Sequence, residues 1–183
     1  MTLYVARHGE TDWNAQGRYQ GSVDIPLNGT GLQQAAELAE RVAALDIDVI
    51  ISSPLLRARM TAEVIQRAKP VPLVFDARLV ERNMGVYEGL TRDEARTRLP
   101  ETWARLGQFL LDDAPECGET IRQVDARVTA ALEDIKINYH GKNVLLVCHG
   151  FVSRAVNRYL YGLPFDEMHG FTLGNCEVAE YAL

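Results

Sequence analysis

The chain has 183 residues, 47% hydrophobic and 24% charged, with a formal net charge of −6. That length can bury a core without disulfides or a structural metal. The negative balance argues against a nucleic-acid coat, whose affinity comes from neutralising many phosphates. No apolar run approaches the roughly twenty residues that span a bilayer, which argues against membrane insertion. Cys117, Cys148 and Cys176 are odd in number and widely spaced, as expected of reduced thiols rather than a zinc site. With no basic-then-apolar leader at the start, the expected compartment is the cytoplasm. Sixteen Arg outnumber three Lys, a bias that suits forked recognition of phosphate or carboxylate but also follows from codon usage.

In chain order, Leu3–Ala6 reads as a buried strand, and Pro26–Gly31 as a turn-rich stretch. Leu32, Ala35, Ala36, Ala39 and Val42 follow helical spacing, predicting an amphipathic helix to about Leu45. Val49–Ile51 is a short buried strand. Ser53-Pro54 predicts a helix start, with Ser as N-cap and Pro at the first helical position, running to about Arg67. Leu73–Phe75 reads as a third strand. The stretch 76–117 differs, with a loop carrying Gly85 and Gly89 and short helical pieces over Arg92–Leu99 and Glu101–Leu111. It is expected to be a helical insertion lying over one end of the sheet. Thr120 and Gln123 form a capping box for a helix striped by Ile121, Val124, Val128, Ala131, Leu132 and Ile135. Val144–Val147 is a strand, Phe151–Tyr161 a helix and Glu177–Tyr181 a closing strand. Alternating strands and helices predict one α/β domain over 1–183, a three-layer α/β/α sandwich around a mostly parallel sheet.

The chemistry-bearing residues fall at the ends of these elements. Arg7 and His8 end the first strand, Ser52 follows the second, Arg57 lies one turn into its helix, Glu81 and Arg82 follow the third, and His149-Gly150 end the fourth. In a parallel sheet such ends converge on one crevice. Two His, several Arg and a Glu, with Asn14 as an uncharged donor, are the inventory for phosphoryl transfer. Imidazole offers a lone pair at neutral pH, guanidinium groups grip phosphate oxygens, and a carboxyl can move the proton. A carboxyl acting first as an acid calls for an apolar wall, which Met84, Val86 and Tyr87 could supply.

The ordered segments Arg7-His8-Gly9-Glu10-Thr11 with Trp13-Asn14, Gln20-Gly21, Asp24-x-Pro26-Leu27 with Gly31, Ser52-Ser53-Pro54-Leu55 with Arg57-Ala58 and Thr61-Ala62, Glu81 with Gly85 and Glu88-Gly89, and His149-Gly150 span nearly the whole chain. Together they resemble the histidine phosphatase superfamily, in its phosphoglycerate-mutase-like branch. The resemblance implies His8 as nucleophile, Arg7, Arg57 and His149 as the phosphate pocket, and Glu81 as proton donor. Asn14, Gln20, Gly21, Arg82 and Gly150 would line the substrate side, with Glu10 a structural anchor and Trp13 a packing residue. It implies a phosphomonoesterase acting on a small phosphorylated metabolite, with no metal and no cofactor. The rim around Met84–Tyr87, Phe151 and Phe165 leans towards a neutral or apolar leaving group.

Three rival readings stand beside this one. Cys148 and Arg154 have the spacing of a cysteine-phosphatase loop, but Val147 and Ala155 replace the residues usual there. A cofactor-dependent phosphoglycerate mutase would use the same residues, yet the chain lacks the long basic insertion of those enzymes and ends after its last strand. A non-catalytic phospho-ligand binding module would be expected to have lost His8 or Glu81, and both are present.

Overall fold

Five strands form one sheet in the computed structural model, which describes residues 1–108 and 110–182. β1 (Thr2–Arg7), β2 (Val49–Ser52), β3 (Leu73–Phe75) and β4 (Val144–Cys148) are parallel, and β5 (Val178–Ala182) runs antiparallel beside β1, in the order β3-β2-β4-β1-β5. β4 reads Val-Leu-Leu-Val-Cys and is buried at every position, because helices cover both faces of its sheet.

Side chains that alternate along the strands feed two separate cores. Leu3, Val5, Ile51 and Leu146 pack with α6 (Ile121–Asn138) and α7 (Gly150–Tyr161). Tyr4, Ala6, Ile50 and Leu145 face the other way, towards α2 (Gly29–Ala43) and α3 (Leu56–Ala68). The result is a three-layer α/β/α sandwich. Truncating a fully buried residue such as Leu146 to Ala would cost about 2–5 kcal/mol.

Several helix ends differ from expectation. Asn28 caps α2, its Oδ1 accepting from Gly31 N at 2.8 Å, so the helix begins inside the stretch read as a turn and ends at Ala43. Ser53 does not cap α3. That helix starts at Leu56, whose N–H donates to Asp24 Oδ1, and the residue before it makes no side-chain cap bond. A short α1 (Asp12–Ala15) follows the first strand, capped reciprocally by Thr11 and Asn14. Between β3 and α6 lie two 3-10 turns (Ala77–Leu79, Gly85–Tyr87), then α4 (Arg92–Arg98) and α5 (Pro100–Leu106). α5 is shorter than the predicted piece, within which Phe109 lies outside the described residues. The Thr120–Gln123 capping box on α6 is present.

Register decides what meets at the carboxyl end. Arg7 is level with Cys148, and Ser52 with Val147. His8 N donates to Cys148 O at 3.0 Å, and Ser53 N to Val147 O at 3.0 Å. The residues that leave the three central strands, His8, Ser53 and His149, are therefore neighbours. Among the described residues no helix is long and apolar enough to cross a membrane.

Candidate active site

The loop carrying His8 is held by backbone contacts that only glycine permits. A Cβ on Gly9 would sit 2.5 Å from Gly31 O, and one on Gly31 would sit 2.0 Å from Glu10 O. Gly9 N also donates to Thr61 Oγ1 on α3 at 3.1 Å. Glu10 anchors the far side, accepting from Asn28 Nδ2 at 2.9 Å. His8 itself is 3% exposed. Its Nδ1 lies 2.7 Å from the Gly9 carbonyl oxygen. A carbonyl can only accept, so the ring proton sits on Nδ1 and Nε2 keeps its lone pair. Burial, then the charges of Arg57 and Arg7, hold the imidazole pKa well below its ordinary value. At neutral pH this is a neutral imidazole with one free nitrogen.

Arg57 is fully buried, donating from its two terminal nitrogens to Val23 O at 2.8 Å and Gly21 O at 2.7 Å. Gly21 adopts φ +51°, and a Cβ there would fall 1.9 Å from Glu88 Oε1, which itself accepts from the Ser22 and Met84 N–H groups. Arg7 donates to Leu173 O at 2.8 Å. The His149 ring centroid is 5.1 Å from that of His8, and its Nε2 is 2.8 Å from Ser53 Oγ. Burial foremost, followed by Arg57, His8 and Arg7, holds the His149 pKa well below its usual value.

Three buried nitrogens of this group, Arg7 Nε, Arg57 Nε and His149 Nδ1, have no partner among the described residues. Buried donors are rarely left unpaired, so three in one cluster call for an acceptor-rich ligand. Tyr87 Oη is also unpaired, beside a separate hollow large enough for about one water.

Glu81 lines the same cavity as His8. Its Oε1 accepts from Arg82 N at 2.9 Å, and its Oε2 from Phe151 N at 3.1 Å, in the first turn of α7. The contacts at the carboxylate are thus backbone donors, one of them at a helix N-terminus, not the apolar wall expected from Met84, Val86 and Tyr87. Of those three only Met84 lines the cavity. Arg82 donates from Nε to Glu119 O at 3.0 Å and stacks 5.2 Å over the Phe151 ring.

A cavity of about 570 Å³ opens here, lined by Arg7, His8, Arg57, Glu81, Arg82 and Gly150. Asn14, Gln20 and Gly21 line it as well. The Thr11 hydroxyl lies 3.1 Å from Asn14 Oδ1 and 3.0 Å from Gln20 Oε1, so both amides are oriented by the same group. His149 is brought beside His8 and is fully buried; it is not among the residues that line the cavity. Trp13 packs over Gly89 at 3.2 Å from the position of a Cβ there. Phe165, expected at the rim, instead lies beneath Arg158 and Arg122.

Sequence reasoning missed Ser53 as the partner of His149, because Ser-Pro reads first as a helix cap. Arg92, exposed at the start of α4, also lines the cavity with Arg18, Arg154, Tyr19 and Trp103. Cys148 is fully buried, and burial pushes its thiol up to about 12. It is no thiolate at neutral pH, which removes the cysteine-phosphatase reading.

The chain and its fold have counterparts among known proteins. "Probable phosphoglycerate mutase GpmB" of Escherichia coli O1:K1 is 40% identical over 181 residues, covering 98% of this chain and 83% of that protein. The mycobacterial glucosyl-3-phosphoglycerate phosphatase, solved with VO3, superposes with a TM-score of 0.90 at 30% identity, covering 98% of this chain and 91% of that one. The phosphoserine phosphatase of Entamoeba histolytica, solved with 3-phosphoglyceric acid, gives a TM-score of 0.84 at 29% identity, covering 98% and 89%. The sequence model of the histidine phosphatase superfamily (branch 1) matches residues 3–183. The chain belongs to the histidine phosphatase superfamily, branch 1.

Proposed function

We propose that the protein is a phosphomonoesterase that hydrolyses small phosphate monoesters through a phosphohistidine on His8. The observation that carries this reading is the pairing of one imidazole lone pair, on His8 Nε2, with buried nitrogens of Arg7, Arg57 and His149 that have no partner among the described residues. A phosphoryl group in flight carries its charge on equatorial oxygens, and donors already in place stabilise it without reorganising. Arg7, Arg57 and His149 are those donors.

In the first step Nε2 attacks phosphorus and the P–O bond to the leaving group breaks, with Glu81 giving its proton to the departing oxygen. In the second step Glu81 takes a proton from water as that water attacks the phosphohistidine. The N–P bond breaks, and phosphate and the original imidazole are restored. Asn14, Gln20, Gly21, Arg82 and Gly150 bind the ester on the cavity side. The guanidinium groups carry the charge stabilisation that a metal ion would otherwise supply, so turnover is expected to survive EDTA. Among the described residues no three His, Cys, Asp or Glu cluster as a metal-ligand set. We read residues 1–183 as one domain with 76–117 as its insertion, and the three free cysteines support a cytoplasmic location.

A second reading, phosphoryl transfer between hydroxyls, is favoured by the name of the 40% identical relative. The structural neighbours named as phosphatases favour hydrolysis. Phosphate release from monoesters without added bisphosphoglycerate is the expected result. Efficient interconversion of 3- and 2-phosphoglycerate, with little phosphate released, would reverse the assignment.

A further inference from the structure

Glu81 sits on a stretch, residues 81–84, that forms neither helix nor strand, so its peptide groups need partners from elsewhere in the fold. Glu119 and Arg127 supply several of them, and neither lines the cavity. Glu119 N donates to Asn83 O at 2.9 Å, its Oε2 accepts from Asn83 N at 3.0 Å, and its carbonyl accepts from Arg82 Nε at 3.0 Å. Arg127, on α6, donates from Nη2 to Glu81 O at 3.2 Å and from Nη1 to Arg78 O at 2.6 Å. The same guanidinium grips Glu119 bidentately, Nε on Oε1 and Nη2 on Oε2, both at 3.0 Å. Four of its five N–H groups are thereby placed.

This pair differs from the ion pairs of the surface. Its side chains are 17% and 26% exposed, against 69% and 86% for Arg96 and Asp93. A solvated pair holds little, whereas a half-buried bidentate pair whose other donors end on backbone fixes geometry. Val124 and Val128, on either side of Arg127 along α6, are buried in the core, so the guanidinium stands on a rigid base. The carboxylate of Glu81 meets Phe151 N at the start of α7. Glu81 is thus held at both ends, its backbone by α6 and its side chain by α7.

We propose that Glu119 and Arg127 are positioning residues for Glu81, setting how closely its carboxyl approaches the departing oxygen of the ester. This rests on the acid role of Glu81 in the phosphatase reading. A proton donor displaced by about an ångström loses much of its effect, so the pair acts chiefly on the step that needs the proton.

The test compares kcat/KM for phenethyl phosphate, whose departing oxygen must be protonated, with kcat/KM for 2,4-dinitrophenyl phosphate, whose leaving group needs no proton. Glu81→Gln is the reference and is expected to slow the first ester far more than the second. Arg127→Gln is expected to slow phenethyl phosphate about 10–100-fold and the dinitrophenyl ester less than about threefold. Glu119→Gln keeps an oxygen for the Asn83 N–H and loses the charge that Arg127 grips, so it is expected to show the same pattern more weakly. Added to Glu81→Gln, Arg127→Gln is expected to cost nothing further on phenethyl phosphate, because no proton is left to place. Equal losses on both esters, a full further loss on top of Glu81→Gln, or unchanged rates in both variants overturn the positioning role. Failure of both variants to fold overturns it too, by making the pair a matter of stability alone. A Glu81→Gln enzyme that slows both esters equally overturns the acid role of Glu81, and the positioning role with it. No phosphate released from either ester by the unaltered enzyme overturns the phosphatase reading itself.

Discussion

Ser53 Oγ lies 2.8 Å from His149 Nε2, while the N–H of Leu55 points at the same hydroxyl from 3.3 Å. The hydroxyl accepts from Leu55 with one lone pair and meets Nε2 across its second hydrogen bond, so it holds the His149 ring in place. Ser53 therefore fixes the orientation of the imidazole whose Nδ1 has no partner among the described residues. Ser53→Ala is expected to lower kcat about tenfold or more with a smaller change in KM, because the ring is no longer held. Ser53→Thr is expected to restore most of it. Equal kcat in Ser53→Ala and the unaltered enzyme would remove this role.

His8→Ala is expected to abolish turnover to within the residual activity left by the surrounding donors. The unaltered enzyme, quenched during turnover of a labelled monoester, is expected to hold an acid-labile, base-stable phosphate that this variant lacks. Labelled phosphate retained by His8→Ala would move the nucleophile elsewhere.

Glu81→Gln keeps the hydrogen-bond acceptor but removes the transferable proton. Alkyl phosphates, whose leaving oxygen needs protonation, are expected to slow by about 10²–10⁴-fold, and activated aryl phosphates far less. Parallel losses on both classes would take Glu81 out of the acid role.

Acid is expected to destabilise the fold through His8 and His149. Both have folded pKa values held well below the ordinary 6.5, so between those values and 6.5 the unfolded chain binds more protons than the native one. Stability from this source is complete above about pH 6.5 and is lost as pH falls, by at most about 1.4 kcal/mol per unit for each histidine. Denaturant titrations at stepped pH measure the slope. A His149→Gln variant is expected to flatten it.

Gly31→Ala would bring a methyl group to 2.0 Å from Glu10 O, against backbone that has no room to yield. A loss of about 1–3 kcal/mol in stability is expected, together with reduced activity, because the displaced loop carries His8. Ala at Gly29, where nothing lies within 4 Å of a Cβ, serves as the control and is expected to fold and turn over normally.

Much of this architecture was legible before any coordinates. β4 is legible because an unbroken Val-Leu-Leu-Val run suits a strand covered on both faces, and α6 because its apolar stripe and Thr120–Gln123 box agree. The positions of His8, Arg57, Glu81 and His149 at element ends made their convergence readable from topology alone. The start of α3 was misread, since a Ser-Pro pair carries the same local signal whether its hydroxyl caps the helix or reaches a histidine 96 positions away. Helical spacing along α4 puts Arg92 on an exposed face, but does not say that another part of the chain turns that face into a cavity wall.

The residues by themselves determined the alternation of strands and helices, the layered fold and the inventory of imidazoles, guanidiniums and one carboxyl, because periodicity and turn chemistry are local properties of the chain. Tertiary structure alone decided which nitrogen of His8 meets a carbonyl, which buried nitrogens are left without partners among the described residues, and which arginines meet an acid. Those outcomes depend on hydrogen bonds and burial between segments far apart in sequence, where distance in space, and not spacing along the chain, sets the energy.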